Sequence, residues 1–196
     1  MHVASEWWRL LALGLAAAFF CAGSAFPQSM PLDERIKLCG GCHGEDGNSR
    51  MENIPSLAGQ PEFFLMNQLF LMREGVRRIE VMMPSVKDLT DDELNALANH
   101  FAKLPPQPSN ERTDPALVQR GADLAPSLRC GSCHLPNLAG QQQMPRLAKQ
   151  RVDYMIYAMK QFRDNQRSGA DTQMSAVVFG ISDRDLTALA HYAASR

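Results

Sequence analysis

The chain has 196 residues, 45% of them apolar and 21% charged, with a formal net charge of −1. That is enough apolar material for a buried core and too little net charge for a disordered polyelectrolyte. Near-neutrality gives no reason to invoke nucleic acid, and the length admits one medium domain or two small ones. The balance conceals an asymmetry. Residues 26–108 carry 12 acidic and 8 basic side chains, hence −4, and residues 109–196 carry 8 acidic and 11 basic, hence +3. Such a dipole, with Arg163 and Arg167 on its positive half, would orient the molecule toward a charged partner.

In chain order, the N-terminus reads as an export signal. Arg9 closes a short polar stretch, Leu10 to Cys21 is apolar, and Ala22-Gly23-Ser24-Ala25 supplies small residues for cleavage after Ala25. The apolar run falls short of the roughly 20 residues of a membrane span, so a cleaved signal over 1–25 is expected, with an uncleaved anchor as the other reading. Cys21 would leave with it. Next, Leu32 to Leu38 predicts a turn or two of helix leading into Cys39. Pro61 to Glu74 has one apolar face, with Phe64, Leu65, Leu69 and Met72 at helical spacing. Thr90, with Glu93 three residues on, is a capping box opening a helix whose buried stripe is Leu94, Leu97, Ala98 and Phe101. The prolines in Leu104 to Asn110 end that helix and make a stiff linker. Beyond it, Arg151 to Phe162 and Ser182 to Ala194 predict two more helices, with Ser182 and Asp185 as a second box. Alternating strand patterns are missing, so the fold class expected is all-α.

The chain contains its own repeat. Cys39-Gly40-Gly41-Cys42-His43 recurs as Cys130-Gly131-Ser132-Cys133-His134. Pro55-Ser56-Leu57-Ala58-Gly59-Gln60 recurs as Pro145-Arg146-Leu147-Ala148-Lys149-Gln150, and Leu89 to Ala98 matches Ile181 to Ala190. One duplication of this length is a tandem pair of domains rather than a solenoid. The boundaries expected are 26–107 and 108–196. Each unit is small enough to need a staple.

The two pentads identify that staple. Cys-x-x-Cys-His is the attachment signature of haem c. Two cysteines three apart on a helical turn can each add through sulfur to a vinyl group on the haem edge, and the next residue sets an imidazole under the iron. Cys39, Cys42, Cys130 and Cys133 are therefore the expected covalent attachment points for two haems, with His43 and His134 as axial ligands. Three other readings fit the pentads less well. A redox dithiol would sit in a βαβ context, which is missing. A zinc site is awkward for adjacent Cys42 and His43. Structural disulfides leave the histidines unexplained.

A second axial ligand should follow some way on. With the capping boxes aligned, Met82 falls on Met174, each eight residues before its cap, Thr90 or Ser182. Met83 is the rival to Met82. A thioether favours ferrous iron and fills the coordination sphere, which suits outer-sphere electron transfer and opposes peroxide chemistry. Met66, Met72, Met155 and Met159 lie on apolar helical faces and read as core. His100 and His191 do not align with one another in the repeat and read as ordinary helix residues.

These motifs, with Gly44-Glu45-Asp46-Gly47-Asn48-Ser49 after the first pentad, make the chain resemble the dihaem cytochrome c4 family of class I cytochromes c over nearly its whole mature length. The resemblance implies two tandem class I cytochrome c domains related by a pseudo-twofold axis, each a few short helices around a covalent haem. It implies a periplasmic electron carrier, not an enzyme, moving single electrons between respiratory donors and a terminal oxidase or other acceptor, with peripheral membrane association in some members. It further implies that the carbonyls of Pro55 and Pro145 accept a hydrogen bond from His43 and His134. Two rival roles keep the haems: a subunit fixed to a dehydrogenase or oxidase, and a dihaem peroxidase. Leu135-Pro136-Asn137-Leu138-Ala139-Gly140 departs from the loop after the first pentad, which suggests different solvent access at the second site.

Overall fold

Among the residues that the computed structural model describes, 30–169 and 172–196, the only extended pairing is an isolated bridge between Gln141 and Met144. The expected signal over 1–25 lies outside them. The first half runs α1 (Leu32–His43), α2 (Glu62–Arg73), α3 (Met83–Val86) and α4 (Asp91–Lys103). The second runs α5 (Pro115–Ser127), α6 (Cys130–His134), α7 (Val152–Arg163), α8 (Thr172–Val178) and α9 (Asp183–Ala194). No described helix is long and apolar enough to cross a membrane.

Local chemistry explains the helix ends. The Thr90 hydroxyl accepts the Glu93 amide and the Glu93 carboxylate accepts the Thr90 amide, so α4 opens on the expected complete box. At α9 the Ser182 hydroxyl accepts the Asp185 amide at 3.2 Å, but the Asp185 carboxylate meets the Ser182 hydroxyl rather than its amide. Asp is one methylene shorter than Glu, so the second cap is half a box. Asp114 caps α5 through the Ala116 amide, with Pro115 at the first helical position.

α4 packs on α1 and α2, and α9 packs on α5 and α7. The first core holds Leu65, Met72, Val86, Leu89, Leu94, Leu97, Ala98 and Phe101, with Met66 packed on its margin. The expected stripe of α4 is thus buried, each leucine contributing about 2 kcal/mol. The second core holds Leu138, Val152, Met155 and Ala190, Ala193 and Ala194 of α9, with Met159 beside it. Small residues let α5 and α9 approach closely: a Cβ on Gly121 would lie 2.2 Å from the Ala188 carbonyl oxygen.

The linker is fastened at both ends. Asn48 donates to the Pro105 carbonyl and accepts the Gln107 amide at 2.8 Å. Farther on, Glu111 accepts the amides of Val152 and Asp153 at 2.7 and 2.9 Å. Buried Arg151 joins Asn110 at 2.8 Å and Asp153 at 2.6 Å. Pro31–Arg196 consequently forms one compact unit.

Candidate functional site: two equivalent cysteine–histidine centres

The first pentad occupies the last turn of α1, continuous with the turn or two of helix expected over Leu32 to Leu38. The second occupies the five-residue α6, separated from α5 by Leu128 and left-handed Arg129. Pro126 lies in the last turn of α5 and removes one amide from its ladder, while the Leu128 amide still reaches the Leu124 carbonyl at 3.2 Å. In both halves the cysteines stand three apart on one helical face, the first partly buried and the second exposed. None of the four is joined in a disulfide. Burial pushes the Cys39 and Cys130 thiols up, the opposite of what a reactive dithiol needs.

Each histidine is buried and anchored alike. His43 Nδ1 donates to the Pro55 carbonyl at 2.8 Å, and His134 Nδ1 donates to the Pro145 carbonyl at 2.8 Å. A carbonyl only accepts, so the proton sits on Nδ1 and the Nε2 lone pair is left available. Burial pushes both imidazoles below the usual histidine range, against the opposing effect of the carbonyl bond, and keeps them neutral. A neutral imidazole with Nε2 available beside two unpaired thiols is the donor set a covalently held haem requires.

The methionines are placed less symmetrically. Met82 precedes α3, packs on the first core and lines a narrow cleft with Cys39, Leu69, Val86 and Leu97. Met174 is partly buried within α8. His100 stacks edge-on against Phe101, and His191 Nδ1 accepts the Asp114 amide at 3.1 Å, so both serve local structure.

The loop after each pentad keeps its course despite its changed sequence. The Gly47 carbonyl accepts the amides of Leu57 and Ala58; the Leu138 carbonyl accepts those of Leu147 and Ala148. Positive φ recurs at matched positions: Gly44 and Leu135, Gly47 and Leu138, Gly59 and Lys149, Gly75 and Asn165. The backbone of residues 135–138 thus follows that of 44–47, and the two loops part at Gly140, whose φ of 74° has no counterpart at Ser49.

Several functional candidates had no visible role in the sequence. Ser56 and Gln150 exchange two hydrogen bonds, amide to Oε1 at 2.8 Å and Nε2 to carbonyl at 2.9 Å. Arg146 and Gln60 do the same at 2.9 and 3.0 Å. Each proline loop is thus gripped by the glutamine of the other half. Arg146 is 4% exposed, donates to carbonyls of both halves, and retains the one buried unpartnered side-chain nitrogen among the described residues, its Nε. Burial pushes its guanidinium down to about 10. Their signal was the strict recurrence of Gln60 as Gln150, which one copy alone cannot interpret. Arg163, by contrast, is engaged by Asp164 at 2.8 Å and Asp183 at 2.5 Å, so it adds little free charge for steering.

Comparison with known proteins agrees with this architecture. The cytochrome c family model matches residues 118–195. Cytochrome c4 of Pseudomonas aeruginosa is 32% identical over 194 residues, covering 93% of this chain and 94% of that protein. The thiosulfate dehydrogenase electron acceptor of Thiomonas intermedia is 30% identical, covering 96% and 91%. Among solved structures, reduced recombinant cytochrome c4 from Pseudomonas stutzeri superposes with a TM-score of 0.77 at 30% identity, over 84% of this chain and 96% of that one.

Proposed function

Since the chain belongs to the cytochrome c4 family, we propose that it is a periplasmic carrier in which Cys39, Cys42 and His43 hold one haem and Cys130, Cys133 and His134 the other. The family carries two covalent haem c groups and transfers electrons. Each such iron accepts and releases one electron without making or breaking a substrate bond. We assign the remaining axial positions to Met82 and Met174. The packing of Met82 on the first core beside Cys39 favours it over Met83.

The observation that carries this reading is the paired hydrogen bond from each imidazole to its proline carbonyl, 2.8 Å in both halves. It fixes the tautomer and ring orientation and raises the basicity of Nε2. Backbone geometry rather than a mobile side chain supplies that partner. The cysteines fix the cofactor in place, and the thioethers close the coordination sphere to water and peroxide. The export signal over 1–25 and the division into 26–107 and 108–196 belong to the same reading.

The partners are redox proteins. A free shuttle toward a terminal oxidase or other acceptor is the primary assignment. A second reading, an acceptor docked to a dehydrogenase, is favoured by similarity to the Thiomonas thiosulfate dehydrogenase electron acceptor. The test is an optical spectrum of protein matured with haem c, with a haemochrome count and the weak red-edge band of thioether-ligated ferric haem. Two haems with the band at two-site intensity support both axial pairs. Two haems without it overturn the methionine assignments, and a colourless chain overturns the attachment sites. Co-purification with a dehydrogenase would select the second reading.

A further inference from the structure

The contact between the two proline loops is isologous: Gln60 meets Arg146 as Gln150 meets Ser56, and these four residues occupy two equivalent positions of the repeat. One charge breaks the symmetry. The Arg146 guanidinium donates through Nη1 to the Ala148 carbonyl and through Nη2 to the Ala58 carbonyl at 2.8 Å. Ala58 and Ala148 are also one position of the repeat, so the guanidinium straddles the axis relating the halves. It is 4% exposed, pairs with no carboxylate among the described residues, and leaves Nε buried without a partner. Its own backbone follows Pro145, which holds His134, and its far nitrogen binds Ala58, three residues beyond Pro55, which holds His43.

We propose that Arg146 is an electrostatic tuning residue shared by both redox centres, a fixed buried cation at the two-fold contact that favours the reduced form of each. This rests on the haem assignment above. Oxidation adds one positive charge at an iron, and a neighbouring cation in a poorly screened interior opposes it. Ser56, the equivalent residue, brings no charge, so one cation acts on both centres. The unpartnered Nε–H is a donor that a haem carboxylate would satisfy. The sign is then unchanged, because deleting the cation would leave that carboxylate unopposed.

The test is spectroelectrochemical titration of both haems in the holoprotein, at fixed pH and salt, for the native chain and for Arg146→Lys, Arg146→Gln and Arg146→Met. The neutral variants are expected to lower both potentials, on the order of tenfold in each reduction equilibrium, about 59 mV for one electron. Lysine should retain most of the native values. Unmoved potentials in the neutral variants, a shift at one haem alone, or a lysine shift as large as that of glutamine would overturn the proposal. Should the methionine variant fail to fold, glutamine, which keeps an amide to donate to Ala58, carries the comparison. A native chain lacking two haems or the thioether band sinks the ligand assignment instead. A native chain with both, and neutral variants of unchanged potential, sinks the role of Arg146 alone.

Discussion

Arg35, one helical turn before Cys39, donates to Glu93 at 2.8 Å and so ties the first attachment helix to the capping box of α4. The second half repeats the device between different helices: Arg120 of α5 meets Asp185, the capping acid of α9. In each half an acid that opens the C-terminal helix also binds the helix leading to the cysteines. The pair in the first half is well covered, with side chains 13% and 15% exposed.

Glu93→Ala should therefore lower the stability of the holoprotein by about 1–2 kcal/mol, combining a lost cap with a lost pair. The backbone amide of Thr90, its hydroxyl and Arg35 hold the Glu93 carboxyl below the usual range. A depressed acid stabilises the fold above its unfolded value, about 4.3, and loses that contribution as pH falls through the folded value. Urea titrations of native and variant chains should diverge at neutral pH and converge in acid. A gap that persists unchanged in acid would refute the ionic part.

Gly121 has no room for a side chain. Its Cβ would lie 2.2 Å from the Ala188 carbonyl oxygen and 2.6 Å from the Tyr192 Cβ. Gly121→Ala should force α5 away from α9 and destabilise the protein by about 1–3 kcal/mol. Thermal melting followed in the far ultraviolet would register it; an unchanged midpoint would mean the helices are not held this close.

Met82→Ala should remove about half of the thioether band, Met174→Ala the other half, and Met83→Ala none of it. Absorbance of the oxidised variants decides the matter. Loss of the band on replacing Met83 would transfer the ligand by one residue.

Leu135 lies at φ 68° and ψ 156°, in a region that glycine alone adopts readily, where the first half has Gly44. Such backbone costs about 1–3 kcal/mol, so Leu135→Gly should stabilise the second half by about 1 kcal/mol net of the added freedom of the unfolded chain. A higher urea midpoint is expected. A lower one would show that Leu135 packing outweighs its strain.

The fold was legible wherever the chain repeats a short-range rule. Caps, helical stripes and the two pentads depend on residues three or four apart, and Leu94, Leu97, Ala98 and Phe101 are buried as the stripe requires. The helix over Leu32 to Leu38 and the helical turn of the pentad were both legible, and in α1 they are one continuous element. α5 escaped notice, because Gly121 and Pro126 punctuate a segment that Asp114 and packing on α9 hold helical. At the site, the cysteines and histidines were plain. The roles of Gln60, Gln150 and Arg146 were hidden, because their partners lie 86 to 94 residues away and on the other copy of the repeat. At Leu135 and Leu138 the glycines of the first loop are gone, yet the positive φ of Gly44 and Gly47 is kept.

The reciprocal grip of Gln60 and Gln150 also bears on ancestry. A two-fold contact within one chain is the arrangement that joining the two copies of a symmetric dimer end to end would leave. In a dimer of identical copies, an arginine at the position of Arg146 would bring a twin, and two guanidiniums would crowd one axis. In one chain positions 56 and 146 are separate residues, and serine at one with arginine at the other gives the junction a polarity that a pair of identical subunits cannot have.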